Sequence, residues 1–404
     1  MKKNKIIGIA IGCIAVVLII SYVQQFIEKK ESLEANSTLV QEGNITSTEV
    51  PAEDNQTEEE IELTFEVVWK ERIDAAMAPS YCPPVENQIY PENYYLGQLI
   101  DTHLHIAAIP DWSPGEEDSY EDWWPLLGKT VTMPEIACTL KNEGTKKAFA
   151  FFPVYPEIPE QLLEVVHRTI QQYPTQFIPF IMPPGPDDVP PTVEADVLRQ
   201  MLSVYLGLFD GYGEIGLYER ENREANDFPP DAPIFQRIYP VVREHKLLVY
   251  LHPGEGQEKN LERALQQNPE ITFIVHGEEI EPYIGNIMNK YQNIYFTADD
   301  IFVAELYEEY VGESKVAFLH KLNTNWESLL TKAHRRYAVL IESHPDRFMW
   351  GTDRGDAAWN YDLDVGQALV KYARAFIGRL DPAVQEKFAY KNAERLIEMS
   401  GEDE

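Results

Sequence analysis

Cysteine is scarce: three residues, Cys13, Cys82 and Cys138, in a chain of 404. That excludes a disulfide scaffold and a thiolate zinc cluster of the finger type. Basic residues are scarce too. Lys and Arg number 34 against 67 Asp and Glu, a formal net charge of −33. Such a balance repels phosphate backbones and leaves no basic footprint, so nucleic acid is not an expected partner. No segment has the P-loop spacing of a nucleotide cradle, and no repeat of about 20 to 50 residues is present. What is present is ordinary globular composition, 44% hydrophobic and 25% charged, which excludes wholesale disorder.

The N-terminus stands apart. Ile6 to Val23 is a run of 18 residues without a charge. As a helix it would reach ~27 Å, close to the ~30 Å of a bilayer core. Lys2, Lys3 and Lys5 precede it. The expectation is an anchor over 1–27, with the membrane as a partner and the rest of the chain outside the cytoplasm. A cleaved signal peptide and lipidation at Cys13 are the rival readings, and both also export the chain. Residues 28–62 read as an acidic, disordered tether, rich in Glu, Ser, Thr and Asn, with sequons at Asn36, Asn44 and Asn55. Residues 63–96, with Pro and Tyr, are expected to pack across one end of the domain that follows.

Over 97–404 short apolar runs alternate with amphipathic stretches. Strands are predicted near Leu99–His103, Lys147–Phe152, Phe177–Ile181, Gly213–Leu217, Leu247–Leu251, Ile271–Val275, Asn293–Phe296 and Phe348–Trp350. Helical patterns between them include Glu157–Tyr173, Val193–Phe209, Ala232–His245, Glu258–Gln267, Glu281–Lys290 and Trp326–Ser343. Two more, Leu363–Gly378 and Pro382–Met399, follow the last strand. Eight strands, most followed by a helix, are the arithmetic of a (β/α)8 TIM barrel. Catalytic groups of such barrels sit at the carboxyl ends of the strands.

Those ends are where the unusual residues fall. Asp101-Thr102-His103-Leu104-His105 places two imidazoles two residues apart, on one face of a strand, able to grip one ion. Glu214 lies on the fourth predicted strand, His252 and His276 end the fifth and sixth, and Gly351-Thr352-Asp353 follows the eighth. Each would be costly to bury alone, and a shared cation satisfies all six at once. Asp299 and Asp300 follow strand seven and could line the pocket; helix capping or a solvated loop explains them at least as well. Arg354 reads as an ordinary salt bridge before a substrate carboxylate clamp, and Glu278 and Glu279 as loop charges. His167, His245, His320, His334 and His344 read as structural. Cys82 and Cys138 could pair if their Cα atoms come close enough.

On these residues the chain resembles the amidohydrolase superfamily of metal-dependent hydrolases. The stretch from Phe235 to His252-Pro253-Gly254 is most similar to the amidohydrolase-related branch, and Gly213-Glu214-Ile215-Gly216-Leu217 is similar to TatD-type enzymes. The resemblance implies that His103, His105 and Asp353 hold the more buried ion and that Glu214 bridges to a second or completes the first. It implies that His252 and His276 hold the second ion, or that His276 contacts substrate in a one-ion site. Many relatives carry a carboxylated lysine where Glu214 stands. The implied cofactor is one or two divalent ions, zinc first. The implied function is hydrolysis of a C–O or C–N bond of a small molecule, by a metal-activated water with Asp353 as general base and His276 as a further catalytic residue. A decarboxylase of the same branch and a non-catalytic surface-anchored barrel are the alternatives. Substrate identity and oligomeric state, including a homo-oligomer, are left open.

Overall fold

The computed structural model describes residues 58–401 apart from 85–87, 110–124, 155–158, 184–191, 218–227, 300, 302–305, 307–308 and 313. The chain divides into Met1–Ile61 and Glu62–Glu404, and the barrel lies in the second unit. The apolar run 6–23 and the three sequons lie outside the described residues. Among the described residues no helix is long and apolar enough to cross a membrane. The expected membrane anchor, and the outward placement built on it, is corrected accordingly: the hydropathy of a short run carried the first, and the lysines before that run carried the second. Of the stretch expected as a tether, 58–62 are the first residues of a helix, α1 (Glu58–Ala76).

Eight parallel strands follow in sequence order: β1 (Ile100–His105), β2 (Lys147–Pro153), β3 (Phe177–Met182), β4 (Gly211–Gly216), β5 (Leu248–His252), β6 (Phe273–Val275), β7 (Ile294–Ala298) and β8 (Phe348–Trp350). The ring is closed between β1 and the end of β8, where the His105 N–H donates to the Arg354 carbonyl at 2.9 Å. The crossovers are α2 (Met133–Glu143), α3 (Pro159–Gln172), α4 (Ala195–Val204), α5 (Pro233–Glu244), α6 (Glu258–Gln267), α7 (Glu281–Lys290) and the pair α8 (Lys315–Thr324) and α9 (Trp326–Ser343). After β8 come α10 (Leu363–Ile377), α11 (Pro382–Glu386) and α12 (Asn392–Gly401), with a π-helical stretch at Lys387–Lys391. This is a TIM barrel. The expected helix over Pro382–Met399 is thus two helices with a wider turn between them. α2 and α8 escaped the periodicity reading. α2 nonetheless carries a clear start signal: Thr132 and Glu135 form a reciprocal capping box, and Gly144 ends the helix at φ 95°.

Two buried layers follow from strand alternation. The outer layer packs strands against helices and includes Leu104, Tyr212, Ile215 and Val249. The inner one fills the barrel with Ile100, Phe149, Phe151, Phe180, Tyr250, Ile274, Tyr295 and Met349, and Leu396 of α12 belongs to it. Residues two further along a strand from these inner ones face the mouth: His252 after Tyr250, His276 after Ile274, and Thr297 then Asp299 after Tyr295. Two strands break the alternation. The register shifts between Asp101 and Leu104 in β1 and between Tyr212 and Ile215 in β4. Ile100 lies in the inner layer and Leu104, four on, in the outer; Tyr212 and Ile215, three apart, both lie in the outer. Each shift flips the parity, so His103, His105 and Glu214 face inward. Irregularities of this kind re-aim side chains beside active sites.

Candidate metal centre

Asp101, fully buried, fixes the first irregularity. Its Oδ1 accepts the N–H of His103 and of Thr352, both at 3.0 Å, and its Oδ2 accepts the Thr352 hydroxyl at 2.6 Å. One carboxylate thereby ties the histidine strand to the segment carrying Asp353. On β4, Gly213 sits at φ 121°, and a Cβ there would fall on the Tyr250 carbonyl oxygen. Only glycine lets β4 lie this close to β5 and turn Glu214 inward.

The six expected residues converge. His103, His105, Glu214 and Asp353 form one group able to hold an ion, and Glu214, His252 and His276 form another; ligand atoms within each group lie within 4.8 Å of one another. Glu214 stands between them. Its Oε2 is 3.2 Å from His103 Nε2 and 2.9 Å from His105 Nε2. Its Oε1 is 2.6 Å from His276 Nε2 and 3.3 Å from His252 Nδ1. Asp353 Oδ1 lies 3.1 Å from His103 Nε2 and 3.3 Å from His105 Nε2. Among these carboxylates Asp353 is the most open, at 34% side-chain exposure against 11% for Glu214. Phe151 walls the first group, with its ring centroid 5.2 Å from that of His103.

One residue weighed as pocket-lining but left out of the expected set joins the cluster. Asp299, just past β7 and 3% exposed, reaches the far side of two imidazoles with a single oxygen. Its Oδ2 is 2.5 Å from His103 Nδ1 and 3.0 Å from His276 Nδ1. The capping reading of Asp299 is thereby replaced; Asp300 lies outside the described residues. The signal was available, because Tyr295, Thr297 and Asp299 share one parity. Glu279, read as a loop charge, lies 3.2 Å from His252 Nε2. Arg354 does prove an ion pair: its guanidinium donates to both Glu143 oxygens at 2.9 and 3.0 Å, with side chains 1% and 0% exposed. The other five histidines belong to none of the ligand groups found among the described residues. Cys82 and Cys138 are bonded, with Cα atoms 5.6 Å apart.

Electrostatics describe a site that attracts cations. Burial alone would lower the pKa of His103, but the Asp353 charge and hydrogen bonds with Asp299 and Glu214 hold it up at about 10. His105, buried likewise, is held at about 10 by Asp353 and Glu214. His276 is held at about 10 by Glu214 and Asp299, again against burial. Conversely, burial would raise Glu214, Asp299 and Asp353, yet the charge of His276 on the first two and of His103 on the third keeps them low. Three carboxylates thus hold protons on the imidazoles they enclose. A mixed imidazole and carboxylate set of this kind suits zinc, iron or manganese, and a divalent ion would take the protons' place. The residues fit such a cofactor.

Solved structures similar to the chain include an amidohydrolase from Burkholderia multivorans with bound zinc, at 11% identity, covering 74% of this chain and 99% of that one, TM-score 0.46. Another is dihydroorotase from Campylobacter jejuni, at 13% identity, 79% and 88% coverage, TM-score 0.44. A third is 5-carboxyvanillate decarboxylase from Novosphingobium aromaticivorans with manganese and 4-hydroxy-3-methoxy-5-nitrobenzoic acid, at 14% identity, 76% and 97% coverage, TM-score 0.43. A search of curated proteins gives no match. The family model described as Amidohydrolase matches residues 100–398. That is well over half of the sequence, and the chain belongs to the amidohydrolase family.

Proposed function

We propose that this protein is a metal-dependent hydrolase that cleaves a C–O or C–N bond of a small molecule. The observation that carries the reading is Glu214: one carboxylate offers an oxygen to each of two ligand groups that share no other residue. His103, His105 and Asp353 would hold one divalent ion, zinc being our first choice, and His252 and His276 a second, with Glu214 between them. A divalent ion held there supplies Lewis acidity at neutral pH.

The chain's own residues take the remaining roles. Asp353 is the open carboxylate of the cluster and the one placed to accept a proton from an attacking water. Asp101, through Thr352, holds the segment that presents it. His276 has both ring nitrogens engaged, Nε2 by Glu214 and Nδ1 by Asp299. That supports a ligand role over proton delivery to substrate. The loops with Trp112, Trp123 and Trp124 and with Pro183–Pro191, where specificity would reside, lie largely outside the described residues.

The test is metal analysis of the purified protein joined to a panel of esters, lactones and amides, with CO2 release from aromatic acids assayed in parallel. The proposal expects stoichiometric transition metal and hydrolysis that a chelator abolishes. Protein that neither retains nor takes up metal, or that only releases CO2, would refute it.

A further inference from the structure

We infer that Asp299 is a shared positioning residue for both ion positions, so that one carboxylate on β7 sets the affinity of each; the inference rests on the two-ion reading above. The geometry is specific. Imidazole ligates through one nitrogen only, and which nitrogen is free depends on what the other one donates to. Asp299 Oδ2 accepts from His103 Nδ1 and His276 Nδ1 at once. Both rings therefore turn Nε2 toward Glu214, at 3.2 and 2.6 Å. His103 lies in the group with His105, Glu214 and Asp353 and His276 in the group with Glu214 and His252, and a third group joins the two histidines to Asp299 and Asp353, which puts Asp299 at the junction of both positions. The two rings also meet edge to face, 4.3 Å between centroids, so neither can swing without the other. Burial closes the remaining freedom: the side chains of His103 and His276 are 0% and 3% exposed and that of Asp299 5%.

Removing the acceptor frees both rings to populate the tautomer and the orientation that cannot bind. Losing such a carboxylate partner costs about 10- to 100-fold in metal affinity. The unusual expectation is that the cost falls on two positions from one substitution. Asn at 299 keeps an oxygen of the same reach but not its charge, whereas Ala removes both.

The test is titration of chelator-stripped protein with Co2+, read by its visible absorption. His252→Ala isolates the position at His103, His105 and Asp353; His105→Ala isolates the one at His252 and His276. In each background Asp299→Asn should weaken Co2+ binding about 10-fold and Asp299→Ala about 100-fold, with the Co2+ bands of the Asn variant staying near wild type. A packing role alone would leave the isosteric Asp299→Asn at wild-type affinity, so its own loss is what marks the charge. Asp299→Asn preserves volume and the acceptor, so it reports even where the Ala variant does not fold. Binding unchanged in either background overturns the inference while leaving the hydrolase reading intact. Wild-type protein that takes up no Co2+ overturns that reading, and the inference with it.

Discussion

Arg354→Met separates two roles for the residue beside Asp353. An arginine reserved for a substrate anion should be dispensable to folding, and its loss should appear in KM. The structure assigns it instead to a sealed pair with Glu143, bidentate and 1% and 0% exposed, with Thr145 donating to the same carboxylate at 2.7 Å. Removing one partner of such a pair leaves an uncompensated buried charge and costs about 3–5 kcal/mol. At ~2.1 cal/mol/K of unfolding entropy per residue over roughly 340 residues, 4 kcal/mol corresponds to a fall in Tm of about 6 °C. The urea midpoint should fall in proportion. Because two apolar residues often replace a buried pair at little cost, Glu143→Met added to Arg354→Met should recover most of the loss. The single variant should also weaken metal binding, since Arg354 anchors the turn that presents Asp353. Unchanged Tm and urea midpoint in Arg354→Met, with a raised KM for an anionic substrate, would refute the structural assignment.

Reduction of the Cys82–Cys138 bond, which closes a span of 56 residues, should cost about 4 kcal/mol on the loop-entropy estimate, measured as a lower urea midpoint in reductant. Gly213→Ala should destabilise by more than about 3 kcal/mol and abolish metal uptake, because the added methyl meets the Tyr250 carbonyl and pushes Glu214 away. Asp210 offers a pH test outside the site: burial raises its carboxyl from 3.8 to about 6, against the Ser400 hydroxyl, which lowers it. The folded chain then binds more protons than the unfolded one between those values, so this group takes stability away as pH rises through them. Asp210→Asn should gain on wild type across that interval and level off about 1–2 kcal/mol ahead, less than the full ~3 kcal/mol because Asp210 is only partly buried; urea midpoints from pH 4 to 8 would show it.

The barrel was legible because its signals are local. Apolar runs of four to six residues mark β2, β3 and β5 by composition alone, and α6, α7 and α9 carry unbroken helical periodicity. α2 was lost because its polar face is interrupted by the buried Thr139, Asn142 and Glu143, which serve contacts to Tyr361, Cys138 and Arg354. Thr139 and Glu143 answer partners more than 200 residues away, and a side chain of that kind breaks the local pattern it sits in. The apolar run 6–23 shows the opposite failure: a strong local signal that no described helix supports as a membrane span.

The site divides along the same line. His103, His105, Glu214, His252, His276 and Asp353 could be picked out because each is a polar residue at the end of an apolar strand, an anomaly visible without knowing its neighbours. Asp299 sits in an equally anomalous place, yet a carboxylate after a strand has an innocent local explanation as a helix cap. What decides its role is that β7 stands next to β6 and one strand from β1 once the ring closes, which brings its oxygen behind His276 and His103 together. Ring closure is also what makes the parity flips in β1 and β4 necessary: without them His103, His105 and Glu214 would point at the surrounding helices. The histidine pair that reads most simply as strand alternation therefore reaches the centre through a break in that alternation, held by Asp101.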